Sequence, residues 1–231
     1  MQDQAQTLTW SETAMYVVGG LSGAALGVLA AIWLGTASTS PSPFLWFVSR
    51  AAGVVAYLLL WLSTAWGISV SSKGLGGRVS GVLAYGLHNV TSWLALGFGL
   101  VHGLSLLGDK VVPFTLPGIL VPFVATYQPF LTGLGVISMY LGVIVTGAFY
   151  LKKRLGPKAW RTVHGLSYLM FVSVTYHGLL IGTDSSTLAM KLIYLLAGVS
   201  VGLLTIFRVM TATSAGSKPA RPRQTEGRSI A

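Results

Sequence analysis

Long apolar stretches separated by short polar segments run along almost the whole chain. The hydrocarbon core of a bilayer, about 30 Å thick, needs about 20 mostly apolar residues per helix, and six stretches meet that length. They cover residues 14–35, 44–70, 81–107, 131–151, 162–182 and 188–210. The pattern predicts an all-α protein, a six-helix transmembrane bundle, whose helices we number in chain order as spans one to six.

Composition strengthens this interpretation. Hydrophobic residues make up 53% of the 231 residues and charged residues only 9%, against about 25% charged residues in a typical soluble domain. The length allows one compact bundle. The chain has no cysteine, which excludes disulfides, iron–sulfur clusters and zinc ribbons.

The net charge of +10 raises the question of nucleic acid. The basic residues lie between the spans and in the tail, however, and they form no patch interleaved with aromatic residues, so no nucleic-acid partner is expected. They are better explained as loop charges that orient the spans, because cytoplasmic loops are enriched in lysine and arginine.

Counting these charges predicts the topology. With the N-terminus inside, the cytoplasmic side carries twelve basic residues: Lys73, Arg78, Lys152, Lys153, Arg154, Lys158, Arg161, Arg208, Lys218, Arg221, Arg223 and Arg228. The outer side receives three, namely Arg50, Lys110 and Lys191. Both termini are therefore predicted to be cytoplasmic, in a multi-pass protein of a prokaryotic cytoplasmic membrane. The polar N-terminus lacks the basic start of a signal peptide, so span one is expected to be retained.

Two segments differ from the spans. Residues 108–130 hold four prolines in an apolar, aromatic setting, which excludes a regular helix and predicts a cap on the outer face. Residues 211–231 are polar, basic and proline-containing, and we expect a disordered cytoplasmic tail. Before the main domain at 44–210, residues 1–13 form a cytoplasmic segment and 14–43 an additional first helix and loop.

All four histidines fall in spans three and five. His88 and His102 are 14 residues apart, and His164 and His177 are 13 apart, which is about 20 Å along a helix. Both spans run from the cytoplasmic to the outer side. His88 and His164 are therefore expected near the inner face, and His102 and His177 near the outer face, as two pairs facing each other.

Two opposed imidazoles in an apolar bundle are the axial ligands of a low-spin b-type haem. We predict two haem b groups between spans three and five, at two depths, giving electrons a path across the membrane. An alternative is that the histidines are buried polar groups bonded to neighbouring helices. Metal transport is disfavoured, because it requires carboxylates near the imidazoles and none of the five acidic residues lies in a span.

The unequal histidine spacings have a geometric consequence. Fourteen residues bring a helix to within about 40° of its starting face, whereas thirteen leave it about 140° away. Either the two haems are rotated relative to one another, or span five is locally tightened towards a 3₁₀-helix.

Arginines and an aromatic residue are candidates for the surroundings of the haems. Arg50, a charge inside span two, is expected to pair with a propionate of the outer haem, with snorkelling to the surface as the alternative. Arg78 and Arg161 can serve the inner propionates, although they fit the cytoplasmic loop count equally well. Phe171 is expected at the depth between the haems, where it fills room that Ala95 leaves.

One polar side chain is a candidate for orienting a ligand. Ser173 lies one turn before His177 and can accept its second ring proton, which would fix the tautomer.

These residues resemble the ferric reductase-like transmembrane domain superfamily over about residues 44–210. That superfamily includes the haem core of NADPH oxidases, the ferric reductases and the bacterial haem subunit of a periplasmic methionine sulfoxide reductase. The resemblance rests on the two histidine spacings, on SRAAG at 49–53, on WRTVHGLSYL at 160–169, and on the PF and YQP elements within 108–130. It implies two b haems, with His88 and His164 holding the inner one and His102 and His177 the outer one.

The sequence also departs from that superfamily. Oxidases and eukaryotic ferric reductases continue into a cytoplasmic FAD and NADPH domain after the last helix, whereas this chain stops, so its electrons are expected from a separate protein or a quinol. Oxidases place a further histidine one turn beyond the outer ligand of span three. Leu106 stands there, and superoxide production is not expected.

The function predicted from the sequence is a di-haem b cytochrome subunit that relays electrons across the cytoplasmic membrane within a larger redox complex. The catalytic endpoint would belong to a partner protein, so no catalytic residue is assigned. One alternative is a quinol-dependent transmembrane reductase of an external acceptor. A second is a structural or pigment-binding subunit of a membrane complex.

Overall fold

A computed structural model of the chain describes residues 43–72, 81–109 and 112–216. All regular secondary structure in these ranges is helical. The elements are α1 (Phe44–Ser71), α2 (Gly81–Ser105) with a 3₁₀ turn at Leu106–Gly108, α3 (Leu116–Leu120), α4 (Pro129–Tyr150), α5 (Lys152–Ile181) and α6 (Leu188–Gly216). Spans two to six correspond to α1, α2, α4, α5 and α6, and span one lies outside the described residues.

Within the described residues, four helices are long and apolar enough to cross a membrane. They are Phe44–Ser71, Tyr85–Gly108, Pro129–Tyr150 and Leu188–Thr213. Many of their apolar side chains are exposed, among them Val143 on α4 and Leu203 on α6. In a membrane, such side chains contact lipid. Helix α5 is not one of the four. Its apolar part, from His164 to Ile181, is interrupted by histidine, tyrosine, serine and threonine side chains.

Two segments predicted to lack regular structure are helical. Residues 152–161 were expected to be a loop, but they form the start of α5. Gly156 has φ 75° and ψ 166°, a left-handed backbone conformation that favours glycine, and Pro157 then restarts the helix with its fixed φ. Residues 211–216 were expected to belong to a disordered tail, but they continue α6. There the hydroxyls of Thr211 and Thr213 bond back to carbonyls three and four residues earlier.

The proline-rich segment contains no long helix in its described part. Helix α3, in the described part of this segment, has five residues and is capped by Thr115, whose side chain accepts a hydrogen bond from the N–H of Gly118. The rings of Phe123 and Phe130 stack with centroids 6.0 Å apart. The segment then turns into α4 at Gln128, which has a left-handed backbone. Four prolines therefore produce a short, irregular connection between α2 and α4, as the sequence predicted.

The packing of the helices leaves a cavity between α2 and α5. Helix α1 packs along α2 and also contacts α5 and α6, while α4 packs along α5. A buried cluster of Tyr57, Ile68, Phe171, Ala197 and Val201 joins α1, α5 and α6. Helices α2 and α5 have few direct backbone contacts and face each other across a cavity, which the four histidines line.

Candidate functional site

The four histidines form two pairs, each with one ring from α2 and one from α5. The ring centroids of His88 and His164 are 6.0 Å apart, with the ring planes at 75°. Those of His102 and His177 are 6.1 Å apart, at 78°. Along α2 the two pairs are separated by 14 residues, or about 21 Å. The pairing expected from the sequence is thus the pairing that the fold produces.

His102 is held by α1 at two points. Its Nδ1 atom lies 2.8 Å from the carbonyl oxygen of Ser49, and the Ser49 hydroxyl donates to the carbonyl of His102 at 3.0 Å. The ring lies against Gly53, where a Cβ atom would come 3.0 Å from Nδ1. A carbonyl only accepts hydrogen bonds, so Nδ1 carries the proton and Nε2 of the neutral ring keeps a free lone pair.

His88 is held in the same way by residues of α1 that lie 14 positions further along the helix, or about four helical turns. Its Nδ1 atom lies 3.0 Å from the carbonyl oxygen of Ser63. Its ring lies against Gly67, where a Cβ atom would come 3.0 Å from Cε1. The hydroxyl of Ser92 donates to the carbonyl of His88 at 2.7 Å and lies 2.7 Å from that of Ser63. The proton again belongs on Nδ1.

His177 repeats this arrangement with α4 as its neighbour. Its Nδ1 atom lies 2.7 Å from the carbonyl oxygen of Leu131. A Cβ atom on Gly135 would come 2.8 Å from Cε1 of the ring. In all three cases a main-chain carbonyl at one position and a glycine four residues later receive the imidazole. We call each such pair a clamp: Ser49/Gly53, Ser63/Gly67 and Leu131/Gly135.

His164 is oriented differently. Its ring stacks on the indole of Trp160, with centroids 5.3 Å apart and planes at 19°. Residues four apart on a helix are neighbours on its surface, so this contact lies within α5. The Nζ atom of Lys152 lies 4.3 Å from the Trp160 ring centroid. An aromatic face takes the place of the glycine of a clamp.

A cavity of about 1320 Å³ extends past both histidine pairs. Binding sites for single small molecules usually have volumes of about 300 to 1,000 Å³, so the cavity exceeds that range. Its walls come from α1, α2, α4, α5 and α6, and Phe114, Ile119 and Tyr127 of the proline-rich segment cover part of it. That segment therefore borders the site, as expected of a cap.

Arg50 forms an ion pair with Asp184, which lies in the connection between α5 and α6. Its Nε atom donates to the second carboxylate oxygen at 3.0 Å, so the contact is bidentate. The two side chains are 33% and 32% exposed and both line the cavity. The pair thus links the start of α1 to the end of α5.

This ion pair is expected to contribute little to stability. Because both groups are about one-third exposed, we expect a coupling free energy between Arg50→Gln and Asp184→Asn of about 0 to 1 kcal/mol. The measurement is a double-mutant cycle of thermal unfolding in one detergent. A coupling of several kcal/mol would contradict the expected weakness of the pair.

Comparison with known proteins finds a relative among the archaea. A protein of Archaeoglobus fulgidus described as uncharacterized is 33% identical over 132 residues, which cover 53% of this chain and 68% of that protein. The chain belongs to the same family as this archaeal protein. No protein-family model matches the chain, and no solved structure matches it. The family by itself brings no function to this member.

Of the other residues predicted to contact a haem, some line the cavity and others do not. Arg161 lines the cavity near His164, while Arg78 lies outside the described residues. Phe171 is buried in the core cluster, stacked on Tyr57 with centroids 6.2 Å apart, rather than in the lining of the cavity. Its expected position between two haems therefore finds no support in its contacts.

Two expectations about the histidines can be compared with the geometry. The acceptor for Nδ1 of His177 is the carbonyl of Leu131, not Ser173. Helix α5 is α-helical throughout the stretch from His164 to His177, so the second of the two alternatives, a local tightening to a 3₁₀-helix, is wrong. A relative rotation of the two bound groups stays a prediction.

Sequence reasoning missed the clamps on α1, although a signal for them exists. The serines at 49 and 63 and the glycines at 53 and 67 repeat with a period of 14 residues, the same as that of the histidines on α2. This coincidence could have been noticed in the sequence. The clamp at Leu131 has no such signal, because any residue can supply a carbonyl.

Proposed function

We propose that the chain is a di-haem b cytochrome subunit that relays electrons across a membrane. The observation that supports this most is the presence of two opposed imidazole pairs, with centroid separations of 6.0 and 6.1 Å, in one cavity. Haem b, when bound, supplies reversible one-electron chemistry at its iron.

The separation of the rings fits a single metal ion between each pair. A metal–imidazole bond is about 2.0 to 2.1 Å long, and two such bonds in line place the ring centroids about 6 Å apart. The observed separations agree with that spacing. Helices α2 and α5, which carry the rings, have few direct contacts, and this leaves space for a group between them.

The protonation of the rings also fits. The three clamps accept the Nδ1 proton, which leaves Nε2 of His88, His102 and His177 as the ligand atom. Metal-binding histidines usually donate their second ring proton to a carbonyl or carboxylate, which fixes the orientation of the ring. Main-chain carbonyls do so here.

The number of ligands per pair favours a haem over a bare ion. Among the described residues, no three His, Cys, Asp or Glu side chains come together as a cation site. Structural zinc takes four protein ligands. His88 with His164, and His102 with His177, would each hold one haem, which would need only these two imidazoles from the protein.

The wider role follows from this site and from the charges. Twelve basic residues against three favour cytoplasmic termini, with α5 also crossing the membrane so that the two pairs lie at different depths. Electrons would come from a separate donor protein or a quinol and leave to a separate acceptor. We propose that the chain works within a larger membrane complex, and that the Arg50 partner in the haem-bound state is a propionate.

Absorption spectroscopy on the purified full-length chain tests the proposal. We expect sharp reduced α-bands and a pyridine haemochrome assay that gives two haem b groups per chain. Chains expressed with ample haem supply provide the reference for full loading. A protein that folds and yet binds no haem would contradict the proposal and favour a structural role.

A further inference from the structure

Trp160 carries an unpaired hydrogen-bond donor at the inner end of the cavity. Within the described ranges, its Nε1 atom is the buried side-chain nitrogen or oxygen atom without a hydrogen-bond partner. Buried polar groups nearly always have a partner, and an exception needs an explanation. Trp160 lines the cavity, so a group bound there can supply the missing acceptor.

The surroundings of Trp160 indicate the chemistry of that acceptor. Lys152, Arg161 and Arg208 also line the cavity, and Lys152 lies over the indole ring. Three cations in the lining of the cavity that the unpaired N–H also borders favour an anionic oxygen, because a hydrogen bond to an ionised acceptor is about twice as strong as a neutral one.

We propose that Trp160 binds a carboxylate of the group held between His88 and His164 through its Nε1–H, while its indole face orients the His164 ring. This inference rests on the proposed function. His164 has no clamp, and Trp160 would orient its ring instead. Trp160 would then both orient the His164 ring and compensate the negative charge of the carboxylate.

The two roles of Trp160 can be separated by two substitutions. Trp160→Phe keeps an aromatic face beside His164 and removes the donor, whereas Trp160→Leu removes both. Each variant is purified as the full chain with its haem. A redox titration followed in the visible spectrum gives the two midpoint potentials, and electron paramagnetic resonance of the oxidised protein gives the axial geometry of each low-spin haem.

We expect Trp160→Phe to lower one midpoint potential and to leave both resonance signals unchanged. Without the N–H, the carboxylate charge is less compensated and favours the oxidised iron. The expected effect is on the order of tenfold in the redox equilibrium constant, which is about 59 mV for one electron. Trp160→Leu is expected to shift the same midpoint and also to change the resonance signal of that site.

Trp93→Phe is the matched control. The indole N–H of Trp93 already donates to the hydroxyl of Tyr150 at 3.1 Å, so both midpoints should stay as in the unchanged protein. Repeating Trp160→Phe in a His102→Ala background assigns the shift to the inner site. Unchanged midpoints in Trp160→Phe, or a shift at the outer site, overturn the inference alone. A wild-type chain without haem overturns the proposed function and the inference together.

Discussion

Replacing His102 with alanine is expected to lower the haem content of the purified chain from two per chain to about one. Each proposed haem depends on one imidazole from α2 and one from α5, and the two rings of a pair lie about 6 Å apart. Without His102, only His177 would remain to hold the outer haem. His177→Ala should give the same spectrum, because it removes the other ligand of that pair. The pyridine haemochrome assay measures the content.

Double variants test the pairing itself. His102→Ala with His177→Ala should retain about one haem, as each single variant does, since both changes affect one site. His102→Ala with His164→Ala should retain none, because it affects both sites. If the second combination kept one haem and the first kept none, the pairs would be wrongly assigned. The elution volume of each variant on size exclusion controls for folding.

Substituting Gly135 with alanine is expected to disrupt the outer site without touching a ligand. The new Cβ atom would lie 2.8 Å from Cε1 and 2.9 Å from Nδ1 of His177, closer than van der Waals contact allows. The ring must therefore move away from its carbonyl acceptor. Overpacking of this kind costs about 1 to 3 kcal/mol. We expect the haem content to fall towards one per chain and the outer haem to show an altered resonance signal.

Gly147 on the same helix provides the control for this substitution. A Cβ atom there would meet no described atom within 4 Å. Alanine is favoured over glycine in a helix by about 1 kcal/mol, so Gly147→Ala should keep both haems and unfold at an equal or higher temperature. Equal haem contents in Gly135→Ala and Gly147→Ala would mean that the clamp does not position His177.

The helices and the histidine pairs were accessible from the sequence, because both depend on repeating patterns. The apolar stretches at 44–70 and 188–210 predicted the start of α1 and α6 correctly. The basic turns of α5 were missed, since charge was read as a loop although lysine and arginine are good helix formers. The pairing of the histidines followed from depth alone, which needs only residue counts.

Contacts between residues far apart in the chain could not be predicted from the sequence. Nothing near Asp184 in the sequence indicates Arg50 as its partner, because the two residues are 134 positions apart. The burial of Phe171 against Tyr57 depends on how α1, α5 and α6 are rotated. Periodicity gives the apolar face of a helix, but it does not say which neighbour covers that face.

The acceptors that orient three of the histidines are main-chain oxygens, and this affects how the site can change over evolution. Any residue at positions 49, 63 and 131 supplies this oxygen, although the buried hydroxyls of Ser49 and Ser63 also bond to the carbonyls of His102 and His88. Inserting or deleting a single residue in α1 between Gly53 and Ser63, in contrast, would turn one end of the helix by about 100° relative to the other. Of the two carbonyl acceptors on α1, those of Ser49 and Ser63, only one could then stay within hydrogen-bond distance of its histidine. Helix length between these points should therefore be under stronger selection than the identity of the residues.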